Sequence, residues 1–336
     1  MNALVCLEPG QFEYKEIDTP IAQPGQTLLR IKRIGICGTD LHAFEGTQPF
    51  FSYPRILGHE LAAEIIQTDA DGFSVGELVT IIPYFNCGAC IACRNNKPNC
   101  CTQIQVFGVH INGAMQEIVS VPSYSLVHTQ GLTLDAMALV EPLAIGAHGV
   151  NRAGVKAGEF VLVVGAGPIG LGTMEMARMA GAKVIAMDIN AERLNFCKNT
   201  LQIPYVINPR IENAYEQIQI ITNGDMPTVV IDATGYLAAI NQSFQYLAHG
   251  GRYILVGLQK GEIIFSHPEF HKREASLMSS RNANRQDFET VIQHFLSKEI
   301  DASKYITHRV AFNEVKTNFA SWILPETGVI KAMVTM

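Results

Sequence analysis

The sequence predicts an α/β protein in which a doubly wound parallel sheet is joined to a second, β-rich domain. Three observations lead there. Apolar, strand-sized runs alternate with helical stretches from residue 159 onward, short strands punctuated by glycine and proline fill the first 150 residues, and a chain of 336 residues exceeds what one ordinary core organises.

Each element follows from its residues. The segments 27–34, 61–68, 78–83 and 114–121 are apolar runs bounded by turn residues, and read as strands of a first domain, 1–150. In the second domain, 151–284, strands at 160–164, 183–187, 228–231, 252–256 and 275–279 alternate with helices that run to 180, start at 191 and cover 237–247. Such alternation makes a parallel sheet with crossover helices. Over 285–336 an amphipathic helix (Phe288, Val291, Ile292, Phe295, Leu296) and a last strand at 329–334 resume the mixed character of the start. This segment is expected to pack back onto the first domain.

Composition excludes several classes of function. Hydrophobic residues are 48% and charged residues 17%, a globular balance with too much apolar content for disorder. The net charge of −6, with no run of like charge, offers no basic face to nucleic acid. The longest apolar segments are strand-sized, far short of the roughly 20 residues that cross a bilayer, so no membrane partner is expected. The N-terminus shows no secretion signal. Eight cysteines in such a chain point to metal binding or free thiols rather than disulfides, and a cytoplasmic location is expected.

The segment Val161-Leu162-Val163-Val164-Gly165-Ala166-Gly167-Pro168-Ile169-Gly170 is an apolar strand running into G-x-G-x-x-G at the start of a helix. Its glycines allow a tight turn, close approach of backbone N–H groups to a pyrophosphate, and close packing of helix on strand. The next strand ends at Asp188, where a carboxylate can accept hydrogen bonds from an adenosine ribose. That carboxylate would repel a 2′-phosphate, which favours NAD over NADP; its duller role is to cap the helix after it. Arg193 is placed to lie over the adenine. Thr234, Val256, Gly257 and Leu258 fall at further strand ends on the same sheet edge and are expected near the nicotinamide half.

Cys87, Cys90, Cys93 and Cys101 stand as C-x2-C-x2-C-x7-C, with Cys100 able to replace Cys101. Four thiolates on a short loop suit the closed tetrahedral shell of a structural zinc, and the spacing suits neither ferredoxin run. Three further fragments carry metal-ligating residues: Gly35-Ile36-Cys37-Gly38-Thr39-Asp40-Leu41-His42, Gly58-His59-Glu60 and Val140-Glu141-Pro142.

In this order, with the Rossmann unit following, these motifs make the chain resemble the zinc-containing medium-chain alcohol and polyol dehydrogenases from end to end. The resemblance implies a GroES-like fold for the first domain, Cys101 as the fourth thiolate of the lobe, and a second, catalytic zinc. Cys37 and His59 match that zinc's thiolate and imidazole ligands, and Glu60 and Glu141 match its two nearby carboxylates. Either carboxylate can be the direct ligand, or the two can exchange. Thr39 matches the hydroxyl that takes the alcohol proton and His42 the imidazole that relays it. The chemistry asks for such a set: a zinc with three protein ligands and one open position is a Lewis acid for an alcohol oxygen. The family also implies a homodimer or homotetramer.

The stretches Thr47-Gln48-Pro49-Phe50-Phe51-Ser52-Tyr53-Pro54-Arg55 and Pro268-Glu269-Phe270-His271-Lys272-Arg273-Glu274, with Ser280-Arg281-Asn282-Ala283, look like the bacterial L-galactonate oxidoreductase subgroup. This implies a small polyhydroxy substrate, a sugar acid or polyol oxidised at a secondary hydroxyl. A neutral polyol of the sorbitol or galactitol kind, or a threonine-type substrate, is the alternative. Arg281 then has two readings, a donor to a substrate carboxylate or a cofactor contact. A non-enzymatic relative that binds NAD beside an inactive metal site is the competing class. A zinc-free quinone or enoyl reductase would lack the cysteine lobe, and a zinc-ribbon nucleic-acid binder would lack the Rossmann half.

Overall fold

The computed structural model describes residues 1–49 and 51–336, so Phe50 of the quoted stretch lies outside the described residues. The chain divides into two compact units, Met1–Pro142 with Ala283–Met336, and Leu143–Asn282. The first division falls inside the helix Leu134–Ala153.

In the first unit the long strand Gln26–Gly35 is the centre of a mixed sheet. Its neighbours are Glu60–Gln67 on one side and the last strand, Lys331–Thr335, on the other, and Ile118–Pro122 pairs with its early half. Met333 lies opposite Gly35 and Thr335 opposite Arg33, so the last strand belongs to this sheet. Ile31, Ile34, Leu61, Ala63, Ile65 and Val334 fill one core with Phe12, Phe319 and Trp322. A second, three-stranded sheet orders Gln11–Glu16, Asn2–Glu8 and Arg55–Ile56. Arg33 and Arg309 both reach the Asp135 carboxylate, at 3.3 Å and 2.5 Å.

Among the described residues the second unit holds six strands, all parallel, in the order Tyr205–Ile207, Lys183–Met187, Phe160–Val164, Val229–Asp232, Arg252–Leu255, Ser276–Ser279. In chain order this is 3-2-1-4-5-6, the doubly wound arrangement, whose direction reverses between Phe160–Val164 and Val229–Asp232. Strands buried on both faces read as continuous apolar runs, and Val161, Leu162, Val163, Val229, Val230 and Ile231 have no exposed surface.

Three sequence expectations need correction. The strand expected at 114–121 begins only at Ile118, because Ala114 and Met115 donate their N–H groups to Gly58 and Leu57 instead of to a ladder. The helix expected over 237–247 is α-helical over Leu237–Ser243 and tightens to a 3₁₀ turn over Phe244–Tyr246. Residues 134–153, expected to lie among short strands, form a long helix with Pro142 inside it. Its glycines are contact points rather than breakers: a Cβ on Gly146 would lie 2.7 Å from the Thr173 nitrogen.

Candidate functional site

In the first unit, Cys37 stands immediately before the helix Gly38–Glu45, where the central strand has just ended. The carboxylate of Asp40, one turn on, accepts from the Cys37 N–H at 2.9 Å and from the Gly58 N–H at 3.1 Å. It thereby clamps the two loops that carry Cys37 and His59. Strand register then sets Glu60 opposite Gly35. Together these constraints bring ligand atoms of Cys37, His59 and Glu60 within 4.8 Å of one another.

His59 and Glu60 are buried. Among the described residues the His59 Nδ1 has no hydrogen-bond partner, and it lies 3.9 Å from Asp40 Oδ1. A carboxylate facing one ring nitrogen while the other nitrogen faces a thiol is how metal-bound histidines are oriented. Burial alone would lower the His59 pKa, but the Cys37 thiolate and Asp40 carboxylate raise it well above the ordinary value. A thiolate, an imidazole and a carboxylate, buried with more negative than positive groups around them, fit a divalent cation of the zinc type.

Glu141 is buried on the helix Leu134–Ala153 and accepts a hydrogen bond from the buried Tyr84 phenol. It is not part of the three-residue group, yet is near enough for its charge to act on His59. Burial, against the attraction of His59 and with the repulsion of Glu60, pushes its carboxyl up. Thr39 is partly buried in the first turn of its helix. His42 is exposed, with Nδ1 at 3.3 Å from both Glu45 Oε2 and Thr47 Oγ1.

Three partners of this site were not found in the sequence. Asp40 lies inside a fragment already singled out. Tyr84 precedes the cysteine lobe by three residues. Lys331, buried on the last strand, places its ammonium 2.7 and 2.6 Å from the Glu60 oxygens and 3.1 Å from the Ile36 carbonyl. Burial would lower its pKa, but Glu60 and then Cys37 hold it above the ordinary lysine value. A lone lysine within the apolar run Val329-Ile330-Lys331-Ala332-Met333-Val334 was the available signal. Gly35 provides the space: a Cβ there would meet Glu60 Oε2 at 2.2 Å.

The lobe thiols of Cys87, Cys90, Cys93 and Cys101 form a second group. Sulfur–sulfur separations are 3.5 Å for Cys90–Cys93 and Cys87–Cys101 and 3.9 Å for Cys90–Cys101. Four thiolates about 2.3 Å from a tetrahedral centre would stand about 3.8 Å apart, so the cage has the size of a zinc shell. Backbone N–H groups of Cys93 and Thr102 hold the Cys90 thiol down at about 5, while burial and the hydrogen bond with Cys90 push the Cys93 thiol up to about 11, so the group holds its protons unevenly. Cys100 is exposed and outside the group.

In the second unit Gly165 turns with φ of +100°, and a Cβ on Gly170 would lie 1.9 Å from the Gly165 carbonyl oxygen. These two glycines serve the turn and the packing. Gly167 is different: a Cβ there would meet only Arg193 Nη1, at 3.8 Å. It stands before Pro168, Ile169 and the rest of the helix Pro168–Met179, with no side-chain cap, so the helix N–H groups face open space suited to a phosphate. Asp188 accepts from the Ala166 N–H at 2.6 Å and the Asn190 N–H at 2.8 Å. Asn190, not Asp188, caps the following helix.

At the neighbouring strand ends the buried Asp232 takes hydrogen bonds from Thr234 Oγ1 at 2.6 Å and the Gly235 N–H at 3.1 Å, while its backbone carbonyl accepts from Val256 and Gly257. Gly257 has no room for a side chain, since a Cβ would lie 2.1 Å from the Gly235 nitrogen. Leu258 is 72% exposed at this edge. Arg281 is exposed, two residues past the strand Ser276–Ser279.

Comparison with known proteins bears on both units. Residues 23–131 match the family model of the alcohol dehydrogenase GroES-like domain, and residues 168–297 that of zinc-binding dehydrogenases. The L-galactonate-5-dehydrogenase of Escherichia coli (strain K12) is 41% identical, over 100% of this chain and 99% of its own. A sorbitol dehydrogenase of Halalkalibacterium halodurans is 30% identical over 94% of each. The crystal structure of an E. coli alcohol dehydrogenase complexed with cofactor NADH superposes with a TM-score of 0.91 at 29% identity, covering 100% of this chain and 99% of that one.

Proposed function

The chain belongs to the zinc-containing medium-chain dehydrogenase family, and from that premise we propose that it oxidises a secondary hydroxyl of a sugar acid of the L-galactonate kind, with NAD as hydride acceptor. The observation that carries the substrate class is the 41% identity along the whole chain to L-galactonate-5-dehydrogenase. The grouping of Cys37, His59 and Glu60 supports the reaction class.

Zinc held by these residues would supply a Lewis acid that acidifies the substrate hydroxyl. NAD would take the hydride. Everything else falls to the protein. Asp40 fixes the loops of Cys37 and His59 and sets a carboxylate facing the imidazole. Tyr84 holds Glu141 beside the metal ligands, where its charge moderates the site. Thr39 takes the hydroxyl proton, and the exposed His42 passes it on to solvent. The open N-terminus at Gly167 would receive the pyrophosphate, Asp188 the adenosine ribose, and Arg193 the adenine. Thr234, Val256, Gly257 and Leu258 flank the nicotinamide. The cysteine lobe would hold a second zinc that takes no part in the chemistry, since four thiolates leave no open position.

Discrimination among substrates must come from groups that meet their far end, and a planar, permanently charged guanidinium suits a carboxylate. Arg281 is assigned that role. The assay is NADH formation over a panel of sugar acids, neutral alditols and simple alcohols. L-Galactonate should be used far more efficiently than its alditol, and Arg281→Ala should collapse the ratio. The second reading, a neutral polyol substrate, draws on the sorbitol dehydrogenase relative, and wins if the alditol is preferred by the unmodified enzyme. For assembly, the outer edge of Ser276–Ser279 has no strand partner among the described residues, and a homodimer or homotetramer built on that edge is the form proposed. No helix among the described residues is long and apolar enough to cross a membrane.

A further inference from the structure

Lys331 spends all its hydrogen-bonding capacity on the metal-binding loops. An ammonium has three protons; two go to the Glu60 oxygens, at 2.7 and 2.6 Å, and one to the Ile36 carbonyl at 3.1 Å. Ile36 precedes Cys37 and Glu60 follows His59, so one buried cation ties together the two segments that carry the thiolate and the imidazole. Strand pairing fixes it there: the Ile36 N–H donates to the Ala332 carbonyl at 3.0 Å, and Met333 lies opposite Gly35. The Glu60 carboxylate is in turn packed into the space left by the missing Cβ of Gly35. It cannot turn away from the lysine without leaving that space.

A carboxylate offers about four lone-pair sites. Lys331 takes one on each oxygen, and a Glu60 oxygen still lies within 4.8 Å of ligand atoms of Cys37 and His59. A carboxylate shared in this way gives less electron density to a metal than a free one, and a positive charge hydrogen-bonded to it opposes the metal's own charge. We propose that Lys331 is a positioning residue that keeps Glu60 a weak, exchangeable ligand of the catalytic metal. Substrate and water can then displace Glu60 without the site losing its ion.

The inference rests on the reading of Cys37, His59 and Glu60 as the catalytic zinc site, and the test separates the two. Holoenzyme is exposed to excess EDTA, and zinc release is followed with a colorimetric indicator. The phase missing in Cys37→Ala belongs to this site; if that variant loses no zinc relative to the unmodified protein, the reading of the site itself fails. Lys331→Met removes the charge and the hydrogen bonds. Lys331→Gln removes the charge but retains a donor for Glu60, and serves if the methionine variant does not fold. Both should release that zinc about tenfold more slowly, within the range seen when groups hydrogen-bonded to metal ligands are altered. In cobalt-substituted protein both should change the visible absorption spectrum of the catalytic site, and turnover should fall more in kcat than in KM. Lys331→Arg, which restores the charge, should return the release rate towards that of the unmodified enzyme. Release at the unmodified rate or faster in both neutral variants, with an unchanged cobalt spectrum, would leave Lys331 as a structural ion pair only and overturn the proposal.

Discussion

A pair of alanine substitutions three residues apart, at Gly167 and Gly170, tests whether the glycine turn is a cofactor cradle or only a fold element. At Gly167 the backbone has φ −72° and ψ 177°, which alanine adopts without strain, and the new Cβ would meet only Arg193 Nη1 at 3.8 Å. Folding should therefore be unchanged or stabilised by about 0.4–1 kcal/mol, the usual gain when an unstrained glycine becomes alanine. The methyl would nevertheless occupy the space in front of the helix N–H groups. Displacing a phosphate from one charge-assisted hydrogen bond costs about 1.5–3 kcal/mol, which raises the Kd for NADH about tenfold to a hundredfold. At Gly170 the situation reverses. Its Cβ would lie 1.9 Å from the Gly165 carbonyl oxygen and 2.8 Å from the carbonyl carbon, and backbone cannot yield as a side chain can. An overpacked contact of this kind costs about 1–3 kcal/mol, or about 3–12 °C in Tm for a unit of this size. NADH binding is read by fluorescence titration and stability by thermal unfolding. A Gly167→Ala protein that binds NADH as well as the unmodified one would refute the cradle, however stable it is.

Other outcomes follow from the same geometry. Purified protein should hold two zinc ions per chain, and Cys37→Ala should lose one together with turnover while keeping the fold, because the closed thiolate cage does not depend on the open site; metal analysis decides it, and normal turnover would end the Lewis-acid reading. Asp188→Ala should erode a preference for NAD over NADP measured as a ratio of kcat/KM, although it also frees the Ala166 N–H, so NAD affinity should fall as well. Asp135 is held below the usual carboxylate range first by its hydrogen bonds with Arg309, against some burial. A depressed folded-state pKa contributes stability that is complete above the unfolded value of about 3.9 and is lost as pH falls through the folded one. Asp135→Asn should therefore cost about 0.5–1 kcal/mol at neutral pH, kept small because the pair is partly exposed and screened, with no difference from the unmodified protein once the pH is below the folded pKa; urea titrations at several pH values would show it.

What the sequence disclosed about this site was local. The glycine turn and the four-cysteine lobe each carry their chemistry within a few residues, where spacing ranks their possible uses, whereas the fragments around Cys37, His59 and Glu141 were legible only through their resemblance to a family. The helix Leu134–Ala153 was hidden because Pro142, Gly146 and Gly149 are helix-breaking by intrinsic preference. The preference is outweighed by packing. Gly146 lets the helix approach the Gly172–Thr173 backbone closer than any side chain would permit, and residues such as Ala138, Val140, Leu143 and Ala144 are buried along its length.

The partners of the ligands are a different kind of information. Lys331 meets Glu60 across 271 residues of chain, and Tyr84 meets Glu141 across 57; no spacing rule links such pairs, because strand register and burial bring them together. Yet each leaves a trace of its own. A charged residue in an apolar strand must find a partner or lose its charge, so Lys331 between Ile330 and Ala332 demands an anion inside the core. The carboxylates available to it are few, since most acids of the chain lie in polar stretches, whereas Glu60 stands at the head of the apolar run Glu60-Leu61-Ala62-Ala63. Two opposite charges, each stranded in an apolar strand, identify one another once both strands are assigned to the same sheet. That inference requires the C-terminal segment to return to the first unit beside Gln26–Gly35, and it brings Lys331 to the cluster of Cys37, His59 and Glu60 for the same reason that the last strand belongs to that sheet.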